Sequence, residues 1–413
     1  MVNQTSSTKH YLFNASVIVA ALGYFVDIYD LILFSTVRVS SLQDLGVTDP
    51  AAVLEQGILL LNMQMAGMLI GGVAWGMLGD KRGRLSVLFG SIFIYSVANI
   101  ANGFISSIPM YAFLRFVAGV GLAGELGAGI TLVSEVLPKE KRGYGTMVVA
   151  TVGISGAILA GFVGEYFGWR PAYFIGGGLG LLLLLLRIGV FESGMFNQVK
   201  AQSVTRGNFL SLFTNKKRFW KYLKCILIGI PIWYVVGILV TLSPEFGAAM
   251  GITEPVSAAR AVSSCYLGLI FGDLVSGYLS QRFKSRRSIV LAFIMMTAVF
   301  VSIYLLGSNL SLNVFYLLCI ALGFASGYWA VFVTIAAEQF GTNIRATVTT
   351  TVPNFVRGAV VPLSFAFTYI KDVMGLIPGA LALGIVCVAI AVVSILSLEE
   401  TYAKDLDYLE PVS

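Results

Sequence analysis

The chain has 413 residues, of which 57% are hydrophobic and 12% charged, and its mean hydropathy is +0.86. A water-soluble domain of this length cannot bury so much apolar surface, so the composition excludes a soluble globular protein and indicates a membrane protein. The formal net charge is +6, but the basic residues lie between apolar runs, which favours a role in membrane orientation over nucleic-acid binding. The polar N-terminal tail and the length of the first apolar run argue against a cleavable signal peptide.

Apolar windows of about 20 residues, the length needed to cross a bilayer, recur along the whole chain. They predict an all-α polytopic membrane protein with twelve transmembrane helices. The longest polar interval, 191–221, predicts a cytoplasmic linker between an N-terminal six-helix bundle (1–190) and a C-terminal one with a short tail (222–413). The predicted helices α1 to α12 cover residues 15–40, 57–79, 85–105, 109–134, 145–167, 171–190, 222–247, 258–281, 288–307, 312–337, 345–370 and 376–398.

Basic residues collect in alternate loops, whereas the intervening loops carry mainly acids or no charge. Since cytoplasmic loops are rich in Lys and Arg, the pattern predicts cytoplasmic termini and a multi-pass protein of the inner or plasma membrane. Arg170 and Lys371 are isolated exceptions. The basic loops contain Lys81, Arg82 and Arg84; Lys139, Lys141 and Arg142; the central linker; Arg282, Lys284, Arg286 and Arg287; and Arg345.

The loop between α2 and α3 reads Gly76-Met-Leu-Gly-Asp80-Lys-Arg-Gly-Arg84. It resembles the signature loop of the major facilitator superfamily of transporters. The resemblance implies two pseudo-symmetric bundles, transport without enzymatic activity, and a conformational latch between the halves when the cavity faces outward. The implied latch residues are Gly76, Asp80, Arg82, Gly83, Arg84, Glu135 and Arg142, with Glu338 and Arg345 as counterparts in the second half.

A faint internal repeat supports two related halves. Glu135 and Arg142 recur as Glu338 and Arg345, a shift of 203 residues. Gly76-x-Leu recurs as Gly277-x-Leu, but Gln281 replaces the loop acid Asp80. Two matches at nearly the same offset indicate duplication.

Charges at bilayer depth are costly and mark functional hypotheses. From the helical rise, Asp27 lies about 18 Å and Asp30 about 22 Å from the cytoplasmic side, and Arg115 in α4 about 21 Å. An ion pair between Asp30 and Arg115 would reduce the cost of both charges. Asp27 and Asp30 share a helix face, and two such close carboxylates disfavour joint ionisation, which suits a proton carrier; a permanently ionised structural pair is the alternative.

The string from Arg115 to Glu125, followed by Glu135 and Arg142, resembles α4 and its loop in sugar porters and metabolite–proton symporters. In sugar porters the acid of a Tyr-Asp pair on α1, here Tyr29-Asp30, partners that arginine and takes the coupling proton. The spacing of Asp27 and Asp30 resembles the two-acid motif of carboxylate–proton symporters, although Ile28 replaces the usual glycine. The resemblance thus assigns proton coupling to Asp27, Asp30, Arg115 and Glu125.

Arg357 in α11 lies about 18 Å from the cytoplasmic side, and no acid within α11 can neutralise it. A guanidinium at this depth, with a fork that matches a carboxylate, favours binding of an anionic substrate; pairing with an acid of another helix, such as Asp273, is the alternative. Asn354, one turn earlier, is a second candidate, and Pro353 and Pro362 predict a helix break nearby. The aromatic candidates are Tyr29, Trp233, Tyr234, Tyr328 and Trp329, of which two of the last four are expected to line the site.

The remaining features indicate no cofactor and no metal. Four cysteines lie singly in different apolar runs, and the only histidine, His10, is in the N-terminal tail. The sequence has no Walker loop, nucleotide fingerprint or Ser-His-Asp set, so a membrane-anchored enzyme or receptor has little support. We therefore predict a monomeric carrier that moves a small organic anion by proton symport; the alternatives are a sugar or polyol symporter, or an exporter of drugs or siderophores.

Overall fold

The computed structural model describes residues 15–82, 84–125, 142–192 and 209–402, and these residues are helical with short connections and no β-strand. Each of the twelve predicted spans contains a described helix, and a further short helix, Ser211–Thr214, lies in the predicted linker. Nine described helices are long and apolar enough to cross a membrane, and Val87–Asn102 and Ile108–Leu122 are shorter apolar ones. The remaining helix, α11, is less apolar because it is rich in threonine, and its buried polar residues pack inside the protein.

The helix bounds differ from the predicted ones mainly at polar ends, which hydropathy cannot detect. For example, α7 begins six residues early because Asn215 Oδ1 accepts the backbone N–H groups of Lys217 and Arg218. The bounds are α1 Ala15–Asp44, α2 Pro50–Arg82, α3 Arg84–Asn102, α4 Ile108–Leu122, α5 Arg142–Ile154 and Gly156–Phe167, α6 Trp169–Glu192, α7 Lys216–Tyr234 continued by a π-helix Val235–Val240 and by Ser243–Ala249, α8 Ala258–Arg282, α9 Arg286–Leu306, α10 Leu312–Ser326 and Trp329–Glu338, α11 Thr342–Gly358 and Val360–Met374, and α12 Leu376–Leu396.

The helices form two bundles. In the first half α1 packs on α5 and α6, and α4 packs on α2 and α3; in the second half α8 packs on α10, and α12 packs on α7 and α9. The halves meet mainly through α2 against α11 and α5 against α8. We call the side at which α1 begins and the α2–α3 loop lies the basic side, and the other the opposite side.

Glycines allow two helix pairs to pack with their backbones in contact. In α10, a Cβ on Gly323 would collide with the carbonyl oxygen of Cys265 in α8. In the first half, a Cβ on Gly119 in α4 would collide with the carbonyl oxygen of Gln64 in α2. The same close approach therefore occurs in both halves, as the internal repeat leads one to expect.

The substitution Gly323→Ala is expected to lower stability by about 1–3 kcal/mol, because its methyl group would push against backbone that cannot rotate away. Thermal unfolding of the purified protein in detergent measures the effect as a lower melting temperature. The matched control is Gly277→Ala in α8, where an added Cβ meets nothing within 4 Å. Equal melting temperatures for the two variants would contradict this account of the α8–α10 contact.

An ion pair between the halves closes the opposite side. Arg38 of α1 is fully buried, and its Nη2 donates to both carboxylate oxygens of Glu245 at 2.7 Å. Close by, Thr241 donates its hydroxyl to that of Ser35 at 3.0 Å. These contacts join α1 to α7 and stabilise the state in which the opposite side is shut.

Breaking this pair with Glu245→Gln is expected to shift the protein toward a state open on the opposite side, since the buried Arg38 guanidinium loses its charge partner. The reporter is a cysteine at Ala259, which is buried on that side, in a background without the four native cysteines. Labelling by an impermeant maleimide should become faster. The control Asp44→Asn breaks the exposed Asp44–Arg170 pair within the first half and should leave labelling unchanged, whereas equal rates in all three proteins would contradict the assignment.

The predicted latch is described only in part. Gly76 lies near Thr351 of α11, at the contact between the halves. Glu338 pairs with Arg286 at the start of α9, with 2.8 Å between Oε1 and Nη2. The latch role stays a prediction. The remaining latch positions lie outside the part of the chain whose side chains are described: Asp80, Arg82, Gly83, Arg84, Glu135, Arg142 and Arg345.

Candidate functional site

A small cavity lies between the two halves, near the middle of the helices that line it. Its walls are apolar and aromatic, and one side chain among them is charged. Two residues come from α1, one from α5, three from α7, two from α8, one from α10 and one from α11. They are Tyr24, Ile28, Ile154, Ile232, Trp233, Val236, Tyr266, Leu269, Trp329 and Arg357.

Irregular helix geometry shapes this wall. In α7, Pro231 lies inside the helix and cannot donate a backbone hydrogen bond, and the π-helix Val235–Val240 follows directly. In α10, the helix stops at Ser326 and restarts at Trp329. In α11, the break falls at Ala359, two residues after Arg357, whereas Pro353 is accommodated within the helix. Broken helices at mid-depth are typical of transporter binding sites.

Arg357, which lines the cavity, lies beside Asp27 without a hydrogen bond between them. The two side chains are almost fully buried, and 3.8 Å separates Arg357 Nη1 from Asp27 Oδ2, too far for a hydrogen bond. Both Asp27 oxygens and the Nε and Nη1 atoms of Arg357 lack a hydrogen-bond partner. The guanidinium also lies 5.6 Å from the ring centre of Trp329. These charges attract each other while keeping unused hydrogen-bonding capacity.

The expected ion pair between Asp30 and Arg115 does not form. Arg115 instead donates from Nη2 to Gln64 Oε1 and from Nη1 to the hydroxyl of Tyr173 at 3.5 Å. Asp30 is fully buried, and neither of its oxygens accepts a hydrogen bond. The sequence predicts that the two residues lie at the same height, but the side chain of Arg115 points from α4 toward α2 and α6.

Glu125 forms a buried ion pair with Arg187 of α6, in which Nη1 and Nη2 of the arginine contact the two carboxylate oxygens. Gly23 of α1 lies against both partners, where a side chain would displace them. The pair joins α4 to α6 on the basic side of the cavity. Sequence reasoning missed Arg187, although a single arginine at the end of a run of leucines is the signal that should have identified it.

The aromatic candidates divide into two groups. Trp233 and Trp329 line the cavity. Tyr234, Tyr328 and Tyr29 instead donate their hydroxyls to backbone carbonyls, those of Ala380 at 2.6 Å, Ile228 at 3.1 Å and Ala172 at 2.9 Å. Buried tyrosines commonly satisfy their hydroxyls in this way, so these three secure helix packing here.

Two other candidates contact neighbouring helices. Asn354 donates from Nδ2 to the carbonyl of Ala123 at 2.8 Å, which ties α11 to α4 of the other half. Asp273, the alternative partner of Arg357, forms no ion pair with it; its Oδ1 accepts the backbone N–H of Ala330 at 3.0 Å. The four cysteines are buried and free.

The two pseudo-symmetric bundles, the cavity between them and the interrupted helices define a membrane transporter. The sequence model of the protein family Major Facilitator Superfamily matches residues 20–361, and the chain belongs to this family. The family confirms three predictions: the protein is a transporter of small metabolites, it has this fold, and it is not an enzyme.

Several proteins of this class are similar to the chain. It is 27% identical over 283 residues to the sialic acid transporter NanX of Escherichia coli, covering 67% of each chain. It is 27% identical over 357 residues to the cis,cis-muconate transport protein of Acinetobacter baylyi, covering 84% of each. Among solved structures, the proton:xylose symporter XylE matches with a TM-score of 0.72 and 16% identity over 97% of this chain and 98% of that one, a likeness of fold.

Proposed function

We propose that this protein carries a small organic anion of the carboxylate type, together with protons, across the inner membrane by alternating access. The observation that carries the proposal is the buried Arg357 guanidinium in an apolar, aromatic cavity, facing Asp27 at 3.8 Å without a hydrogen bond. The guanidinium has a fork that fits a carboxylate, and the aromatic walls exclude water, which strengthens the interaction.

The lining favours an anion over a sugar or polyol. A sugar presents many hydroxyl groups, each of which must find a polar partner when it leaves water. The aliphatic half of the lining, which is Ile28, Ile154, Ile232, Val236 and Leu269, offers none, and the polar groups come only from two tyrosines, two tryptophans and one arginine. A flat or unsaturated carboxylate instead places its charge on Arg357 and its apolar part against Trp233 and Trp329.

Competition between the substrate and Asp27 for Arg357 supports coupling of transport to protons. An incoming carboxylate competes with Asp27 for the guanidinium, and a proton on Asp27 removes the repulsion between the two anions. Asp27 and Asp30 are the proposed proton carriers, because both are fully buried and neither carboxylate accepts a hydrogen bond.

The names of the relatives agree with this substrate class, since sialic acid and cis,cis-muconate are both carboxylates. The name of XylE links the same fold to proton symport. We extend these properties to the present chain as part of the proposal, with import as the working direction and a monomer as the transporting unit. Export and sugar transport are the alternatives that the experiments below distinguish.

A thermal-shift comparison of anions with neutral analogues tests the substrate class. A ligand that binds the native state raises its melting temperature. Among cis,cis-muconate, nicotinate, 3-(3-hydroxyphenyl)propionate, nicotinamide and xylose, we expect stabilisation by one or more of the three anions and by neither neutral compound. Stabilisation by xylose alone would replace this proposal with the sugar symporter.

A further inference from the structure

The break in α10 lies directly against α8. Gly327 and Tyr328 separate the two parts of α10, and the second part starts at Trp329. A Cβ on Gly327 would lie 2.5 Å from the Cα of Gly272 in α8, so no side chain fits between the two backbones there. The next residue of α8 is Asp273, which this contact places beside the first turn of the second part.

Asp273 supplies the hydrogen bond that this turn cannot obtain from its own N-cap residue. The side chain of Tyr328, at the N-cap, makes no capping hydrogen bond. Asp273 Oδ1 accepts the backbone N–H of Ala330 at 3.0 Å, and the residue is 8% exposed. A carboxylate at a helix N-terminus is also favoured by the helix dipole. The cap of this ten-residue helix thus comes from α8.

The capped turn carries an aromatic side chain that lies beside the proposed anion-binding arginine. Trp329 lines the cavity, and its ring centre lies 5.6 Å from Cζ of Arg357. We propose that Asp273 is a positioning residue, an inference that rests on the proposed function. By fixing the start of the second part of α10, Asp273 holds Trp329 over Arg357 and so sets the affinity for the anion. It acts through Trp329 and does not contact the substrate.

Two substitutions separate positioning from simple charge. Asp273→Asn removes the charge but keeps the oxygen that accepts the Ala330 N–H, whereas Asp273→Ala removes both. If Asp273 acted only as a negative charge near Arg357, both variants would bind an anion more tightly. If it positions Trp329, Asp273→Ala should weaken binding roughly 5- to 30-fold, as loss of a helix cap does, and Asp273→Asn should stay close to the wild type.

Hydrogen–deuterium exchange tests the cap without any ligand. In Asp273→Ala, the amides of residues 329–333 should exchange roughly tenfold faster, while those of Asp273→Asn should remain protected. The control is Ser276→Ala, which removes a buried hydroxyl of α8 that bonds only within that helix. Unchanged exchange in Asp273→Ala would overturn the positioning role.

Affinity is measured with cis,cis-muconate and nicotinate as probes. In a Trp329→Leu background, Asp273→Ala should have less than about a twofold further effect, because its influence acts through the ring. A full additional loss in that background, or tighter binding in both Asp273 variants, would overturn the proposal. Should these two anions and 3-(3-hydroxyphenyl)propionate all fail to bind the wild type, the proposed function fails, whereas the exchange measurement still decides whether Asp273 caps α10.

Discussion

Replacing Arg357 with alanine is expected to weaken binding of the anionic substrate by about 2–5 kcal/mol, the usual cost of losing a hydrogen-bonded charge partner in a desolvated site. Arg357→Lys should also weaken binding, though less, because an ammonium group cannot form the two parallel hydrogen bonds of the guanidinium fork. Titration of the purified variants with the anion that stabilises the wild type measures both effects.

Neutral ligands and a second arginine provide the controls. The amide analogue of the true substrate should bind the wild type poorly and be almost indifferent to either substitution at Arg357. Arg282→Ala removes an exposed arginine at the end of α8, outside the cavity, and should leave the affinity unchanged. If both Arg357 variants fold and bind the anion as the wild type does, Arg357 is a structural charge and the sugar alternative moves ahead.

Asp27→Asn is expected to abolish accumulation of substrate against its gradient while leaving exchange of substrate across the membrane partly intact. The amide has a shape similar to the carboxylate but cannot carry the proton. It also no longer competes with the substrate for Arg357, so anion affinity should be equal to or tighter than that of the wild type. Proteoliposomes with an imposed pH gradient measure accumulation, and counterflow measures exchange.

Asp30→Asn separates the two acids of α1. Neither carboxylate oxygen of Asp30 has a hydrogen-bond partner, and the acid that pairs with Arg357 is Asp27, so this substitution should lower accumulation without tightening anion binding. Wild-type accumulation in one variant assigns coupling to the other acid. Wild-type accumulation in both variants would show that neither acid of α1 carries the proton.

The sequence was sufficient to predict the helices, the fold and the common height of Asp27 and Arg357. Hydropathy identifies segments that need lipid as a solvent, and the helical rise converts residue number into height. These quantities placed Asp27 and Arg357 near the same level, where the structure brings them to 3.8 Å.

The partners of the buried charges could not be predicted, because height says nothing about the direction in which a side chain leaves its helix. Arg115 bonds with Gln64 and Tyr173, although Asp30 lies at a similar depth. The break in α11 falls at Ala359, between the two prolines that bracket the predicted break, although Pro353 itself stays within the helix. The glycines of the α8–α10 contact were visible in the sequence, but their significance depends on which helix lies opposite.

Anion-driven proton movement is the measurement that tests the central claim most directly. Proteoliposomes without a pH gradient are mixed with the anion that stabilises the wild type, and the external pH is followed in a weakly buffered medium. The proposed symport predicts alkalinisation outside as protons enter with the anion, and no response with Asp27→Asn or with the neutral amide. Uptake of the labelled anion without any pH change, or a pH change driven by xylose instead, would contradict it.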